Sequence, residues 1–271
     1  MKIIRVFPRR TKLTPDDENV VVNQSPSLFD NADEIHISVL FKHDISRGHE
    51  LAEKWEKVAP IKLGGVAFDQ PGRDFVPGMY VKKGAVITSR GCNNRCWFCS
   101  VWRREGKVHE IPITEGWNVL DDNLLACSET HIRNVFAMLE RQKKLGYRIH
   151  FTGGFEAKLL KSWHVDLLHA IRPKQMFFAY DTPDDYEPLE IASRMLKDSG
   201  FTRNHMRCYV LVGFPRDTME SAESRLNRTV DLGFAPMAML YMDDSGKRNE
   251  DWKAFQRQWA RPAIIFSNRG N

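Results

Sequence analysis

From Gly84 to Met242 the chain repeats one local pattern. A short run of apolar, β-branched or aromatic residues leads into a turn rich in Gly, Asp or Asn, and a longer amphipathic segment follows. Continuous or alternating apolar runs predict strands, and apolar residues recurring every three or four positions predict helices. The pattern places strands at 85–88, 117–120, 148–152, 175–180, 206–212 and 236–242. A helix is predicted after Ser128, whose hydroxyl can satisfy first-turn N–H groups, with Ile132, Val135, Phe136, Leu139 and Leu145 on its apolar face. Further helices are expected over 162–170, 187–199 and 218–232. Strands separated by helices imply a parallel sheet with crossover connections. Runs such as Gln175-Met176-Phe177-Phe178-Ala179-Tyr180 fit burial on both sheet faces. The expectation is an α/β fold with a partial (β/α)6 barrel over residues 81–245 and chemistry gathered at the C-terminal strand edge. The connection from Cys99 to Trp117 holds Gly106 and Pro112 and shows no clear helical pattern.

Residues 1–80 differ in character and read as a small α/β lead-in. A strand is expected at 35–41, a helix at 46–58 with Leu51, Trp55 and Val58 on one face, and a further strand at 61–68 broken by Gly64-Gly65. Such a βαβ-like fragment is too small to bury much core alone. Residues 246–271 read as a C-terminal docking segment, because Trp252, Phe255 and Trp259 recur at helical spacing. No run approaches the roughly 18 apolar residues that span a membrane. The basic stretch Met1–Arg10 lacks the apolar centre of a signal peptide, so a cytoplasmic chain with no membrane partner is expected. The net charge of +5 is compatible with an anionic partner without demonstrating one.

Five cysteines occur, at 92, 96, 99, 127 and 208. An odd number, three of them within eight residues, suits a metal-ligand cluster in a reducing compartment better than a disulfide framework. Three ligands on one loop would leave an open coordination position, as reactive metal sites require. Two other readings compete. Cysteines four and three apart could share one face of a packed helix, or a zinc ion could be completed by Cys127 or a histidine. Cys127 and Cys208 read as structural.

The segment Cys92-Asn93-Asn94-Arg95-Cys96-Trp97-Phe98-Cys99, placed just after a strand, resembles the signature of the radical SAM superfamily. The resemblance covers about residues 84–242 and implies a barrel of radical SAM type. It implies that Cys92, Cys96 and Cys99 ligate a [4Fe–4S] cluster whose open iron chelates S-adenosylmethionine, with Phe98 near the adenine. Two segments resemble the loop that holds the methionyl end of the cofactor: Gly153-Gly154-Phe155-Glu156, and Asp121-Asp122-Asn123, similar to the cobalamin-associated and methylthiotransferase subgroup. Counting 117–120 as the second strand favours Asp121 and Asp122 at the cofactor amine and makes Gly153-Gly154 the third-strand loop. Plain turn or helix-start roles stay open for both segments. By the same resemblance Asp181 receives ribose hydroxyls, and the backbone at Val212 and Gly213 lies near the adenine. Thr218 then starts the next helix.

No Asp-x-His-x-x-Gly segment for cobalamin and no second set of cluster cysteines occurs. The lead-in is at most a shrunken relative of a cobalamin-binding domain. Arg103, Arg104 and Lys107 follow the cysteine loop and could meet an anionic substrate or the cofactor carboxylate. The resemblance implies an enzyme that cleaves S-adenosylmethionine reductively, forms a 5′-deoxyadenosyl radical and abstracts hydrogen from a substrate. Its partners would be an electron donor such as flavodoxin or ferredoxin and a nucleic-acid or nucleotide substrate. The competing function is a metal- or cluster-containing nucleic-acid-binding protein without catalysis.

Overall fold

Alternating apolar residues near the N-terminus build a first, all-parallel sheet in the computed structural model, which describes residues 1–72, 74–243, 246, 249–260 and 265. Its elements are β1 (Ile3–Phe7), β2 (Val20–Val22), β3 (Glu34–Ser38), α1 (Ile45–Trp55) and β4 (Ile61–Gly64). The strand order is β2-β1-β3-β4. Ile4, Val6, Ile35, Ile37, Val39, Leu51 and Trp55 form its core, separate from that of the rest of the chain. This corrects the expectation of a fragment with little core of its own. β1 departs from the expectation because Arg5 interrupts its apolar run, and β2 because it is only three residues long. Its guanidinium is nonetheless buried, donating to the carbonyls of Gly78 and Met79 at 2.8 and 3.1 Å and pairing with Asp17.

The larger sheet has six strands: β5 (Ala85–Val86), β8 (Asn118–Val119), β9 (His150–Phe151), β10 (Gln175–Ala179), β11 (Met206–Val212) and β12 (Ala235–Leu240). Between β5 and β8 lie β6 (Ser89–Arg90), α2 (Val101–Arg104) and β7 (His109–Glu110), with β6 and β7 forming a short antiparallel ribbon. The irregular first crossover therefore contains one turn of helix that the sequence did not reveal. Helices α3 (Glu129–Lys144), α4 (Ser162–Ile171), α5 (Tyr186–Asp198) and α6 (Met219–Asp231) connect the later strands, and α7 (Glu250–Gln258) follows β12.

All six strands run parallel, in the order β12-β11-β10-β9-β8-β5. Each new strand is added beside its predecessor, so all the strand-end loops open on one edge. The Ser128 hydroxyl caps α3 by accepting from the His131 N–H at 3.2 Å, and Thr218 caps α6 in the same way through Ser221. One sheet face packs on the helices through Met176, Phe178, Met206, Cys208, Val210 and Val212. On β11 buried and half-buried residues alternate strictly, so Arg207, Tyr209 and Leu211 face the opposite side. Phe255 and Trp259 bury against the main core, and Gln256 donates to the Ala238 carbonyl at 3.0 Å. Residues 247, 248, 261–264 and 266–271 of the expected docking segment lie outside the described residues. Among the described residues no helix is long and apolar enough to cross a membrane.

Candidate metal and cofactor site

The cysteine loop begins where β5 gives way to β6, and a buried carboxylate fixes that point. Asp121, just past β8 and 1% exposed, accepts from the Thr88 N–H at 2.6 Å, the Thr88 hydroxyl at 2.5 Å and the Ser89 hydroxyl at 2.8 Å. Burial pushes its carboxyl above the usual range, while these donors pull it back. His131 Nε2 lies 3.2 Å from the Thr88 hydroxyl. The next carboxylate, Asp122, accepts from the Gly91 N–H at 2.8 Å and is itself raised by burial. Gly91 adopts φ +82°, and a Cβ there would lie 2.4 Å from the Lys107 carbonyl oxygen. The loop thus folds back on itself, with the Cys92 N–H donating to the Gly106 carbonyl at 3.1 Å.

Cys92, Cys96 and Cys99 are half-buried, unpaired thiols. They occupy a loop, since α2 starts only at Val101, so a shared helix face does not explain their spacing. The Cys99 N–H donates to the Cys96 carbonyl at 3.1 Å, and Trp102 Nε1 donates to the same oxygen at 3.0 Å. Burial raises both the Cys96 and Cys99 thiols, and repulsion from the neighbouring sulfurs raises them further. Cys92 Sγ accepts from the Asn94 N–H at 3.4 Å and from Asn123 Nδ2 at 3.5 Å. Among the described residues no three His, Cys, Asp or Glu side chains are grouped to hold a single metal ion.

Other strand ends surround this loop. Asn123, 3% exposed, donates through Nδ2 to Glu156 Oε2 at 2.6 Å, and its Oδ1 is buried without a hydrogen-bond partner. Glu156 Oε1 pairs with Lys158 at 2.8 Å, and Lys158 reaches Asn94 Oδ1 at 3.2 Å. The two segments that competed for one role are therefore joined side by side. Gly153 makes this possible: a Cβ there would stand 2.2 Å from the Asp121 carbonyl oxygen. Gly154 has φ +104° and open space around it, with its nearest neighbour at 3.8 Å. Asp181 Oδ1 accepts from the Leu211 N–H at 2.8 Å, and burial lifts its pKa to about 6.

From the far sheet edge come Phe214 and Tyr241, whose rings lie 5.8 and 5.5 Å from that of Trp97. Trp97 also meets Phe98 edge-on at 5.4 Å and stays 52% exposed. The loop after the first strand thus touches the loops after the fifth and sixth. Sequence reasoning missed Trp97, Phe214, Tyr241, Asn94 and Lys158. Their only local signal was position in a strand-end loop.

Several expected residues are engaged within the protein. Asp121 has both oxygens engaged by Thr88 and Ser89 at the base of the loop, which it supports. The Gly213 N–H donates to Asp217 at 2.8 Å and the Val212 carbonyl accepts from the Tyr241 N–H at 2.8 Å, so both groups already have partners within the protein. Arg104 is tied to Glu105 at 2.8 Å, and Glu105 receives the Gly72 N–H at 3.0 Å. Arg103 lies over the Trp102 ring at 5.4 Å. Lys107 contributes the carbonyl that packs against Gly91. Cys127 is lifted to about 11 by burial, and Cys208 is fully buried in β11. A separate cleft of about 780 Å³ lies in the N-terminal unit between residues 26–33 and 54–58, and shares nothing with the cysteine loop. No protein-family model matches the chain, and no curated protein matches it.

Proposed function

We propose that the chain is a radical SAM enzyme, with the six-stranded sheet as a partial (β/α)6 barrel and the reaction at its C-terminal mouth. The observation that carries this reading is the three unpaired thiols on one loop after the first strand, met by side chains from four other strand ends. Such a mouth is where parallel α/β folds bind ligands. A single metal ion needs its ligands gathered at one point. A four-iron cluster takes each thiolate on its own iron, and three cysteines within eight residues of one loop can supply three of its ligands.

The donor set fits the group. Cys92, Cys96 and Cys99 would hold a [4Fe–4S] cluster, leaving one iron for the amino and carboxylate groups of S-adenosylmethionine. When bound, the cluster supplies the electron that splits S-adenosylmethionine and so starts hydrogen abstraction from a substrate. Asn123 Oδ1, buried with no donor, provides an acceptor for an ammonium group beside the Glu156 carboxylate that Asn123 Nδ2 and Lys158 engage. Asp122 holds the loop entry through the Gly91 N–H, and Asp121 holds the strand beneath it. Asp181 keeps a carboxylate oxygen for hydroxyl groups. Trp97, Phe98, Phe214 and Tyr241 form an aromatic wall on one side of the mouth, where radical chemistry would need water kept away.

Anaerobic reconstitution with iron and sulfide tests this. A brown protein that yields 5′-deoxyadenosine from S-adenosylmethionine after dithionite reduction supports it. A colourless protein that binds zinc, or a cluster without any 5′-deoxyadenosine, sinks it.

A further inference from the structure

The sheet face turned away from the helices carries a cation that no acidic side chain among the described residues balances. On β11 the residues of that face are Arg207, Tyr209 and Leu211, beside Phe177 and Ala179 on β10 and Met237 and Met239 on β12. Towards the mouth this face is open: Ala179 is exposed and Met239 is 44% exposed. Deeper in, Phe177 is 5% exposed and stacks on Tyr209 with ring centroids 4.7 Å apart. Arg207 lies beside Phe177 in the strand register. Its Nε is buried without an acceptor, and among the described residues no carboxylate pairs with it. Burial alone depresses its pKa, with no acid acting in the opposite direction. An uncompensated guanidinium at a partly buried position is costly unless something else satisfies it.

We infer that Arg207 anchors the anionic end of a small substrate lying along this face, with Tyr209, Met237 and Met239 as its apolar bed. This rests on the enzyme reading above and narrows it to a low-molecular-weight phosphate or carboxylate compound. At about 3.3 Å per residue, roughly 13 Å of strand separate Arg207 from Leu211 at the mouth. A molecule of metabolite length can therefore hold its anion at Arg207 and present its other end to the cysteine loop. Arg is suited to the task because its planar fork takes two oxygens of a phosphate or carboxylate at once.

The test is thermal unfolding of the full chain, before and after iron–sulfide loading, in series of inorganic phosphate and of succinate at constant ionic strength. At ten times its Kd, the anion that fits raises Tm by about 3 °C. In Arg207→Met that rise disappears while iron content is retained. A rise with phosphate identifies a phosphorylated substrate, and one with succinate alone identifies a carboxylate. No rise with either anion, or the same rise in Arg207→Met, overturns the proposal. If Arg207→Met does not fold, Arg207→Lys decides: a rise cut by half or more supports the anchor, and an unchanged rise removes it. Iron content and 5′-deoxyadenosine formation are read separately, so failure of the anion site and failure of the enzyme reading are distinguishable.

Discussion

Asp121 receives three hydrogen bonds from Thr88 and Ser89, at 2.6, 2.5 and 2.8 Å, and so clamps the end of the first strand of the main sheet to the end of the second. All three partners are donors. An amide can keep its oxygen on the Thr88 N–H and donate to the two hydroxyls at Oδ2, which can rotate to accept.

Asp121→Asn is therefore expected to be clearly less damaging than Asp121→Ala. The alanine variant should cost about 3–5 kcal/mol by orphaning several buried polar groups, and the asparagine variant less. Chemical denaturation measures the loss. An alanine variant within about 0.5 kcal/mol of the parent would show that the clamp contributes little.

The thiols should separate cleanly. Replacing Cys92, Cys96 or Cys99 by serine is expected to take iron from about four per chain to near zero in the reconstituted protein. Cys127→Ser should leave the iron content unchanged, since that thiol lies outside the loop. Iron and acid-labile sulfide assays with circular dichroism distinguish lost ligation from lost fold.

The paired glycines give a contrast within one dipeptide. At Gly153 a Cβ would strike the Asp121 carbonyl oxygen at 2.2 Å, backbone against backbone, so Gly153→Ala must displace a strand end. At Gly154 the space is open and only φ +104° is unfavourable. Gly154→Ala should cost about 1–3 kcal/mol of backbone strain, and Gly153→Ala distinctly more. Equal unfolding midpoints would contradict this account.

Trp97 is half exposed, so its removal should affect stability modestly and the loop strongly. Trp97→Ala loses three ring contacts worth about 0.5–1.5 kcal/mol each when well packed, with the exposed face reducing that figure. Amide exchange over residues 92–99 should accelerate while exchange in β10 and β11 stays as it was. Unchanged protection in the loop would show that the aromatic contacts do not restrain it.

Asp181 makes stability depend on pH in a defined direction. Its folded pKa is raised from 3.8 to about 6, so the folded chain holds this proton more tightly than the unfolded chain. The resulting stabilisation is complete below about 3.8 and is lost as pH rises through 6, by at most about 3 kcal/mol. Asp181→Asn should flatten this part of the stability profile between pH 4 and 6. A slope that survives the substitution assigns it to other groups.

The main sheet was readable because each strand carries a contiguous apolar run and each helix a periodic face. Even the strand count was legible from 117–120, where only Asn118 and Val119 form the observed β8. β1 was not legible, since the Arg5 that breaks its pattern is accommodated only by Gly78, Met79 and Asp17, far along the chain. The same reason hid the roles of Asp121 and Gly153. Nothing local distinguishes a carboxylate that meets a ligand from one that meets Thr88. Nor does a Gly-Gly pair announce that its first member exists to let a neighbouring backbone approach.

Trp97 leaves the ribosome early, yet Phe214 and Tyr241, the rings that steady it, emerge much later. A nascent chain that has completed β5 and the cysteine loop carries three thiols on an untethered segment. The aromatic wall exists only once β12 has been laid down. Assembly of the mouth therefore waits on nearly the whole sheet, so a folding intermediate lacking the last strand should be unable to retain whatever the thiols bind.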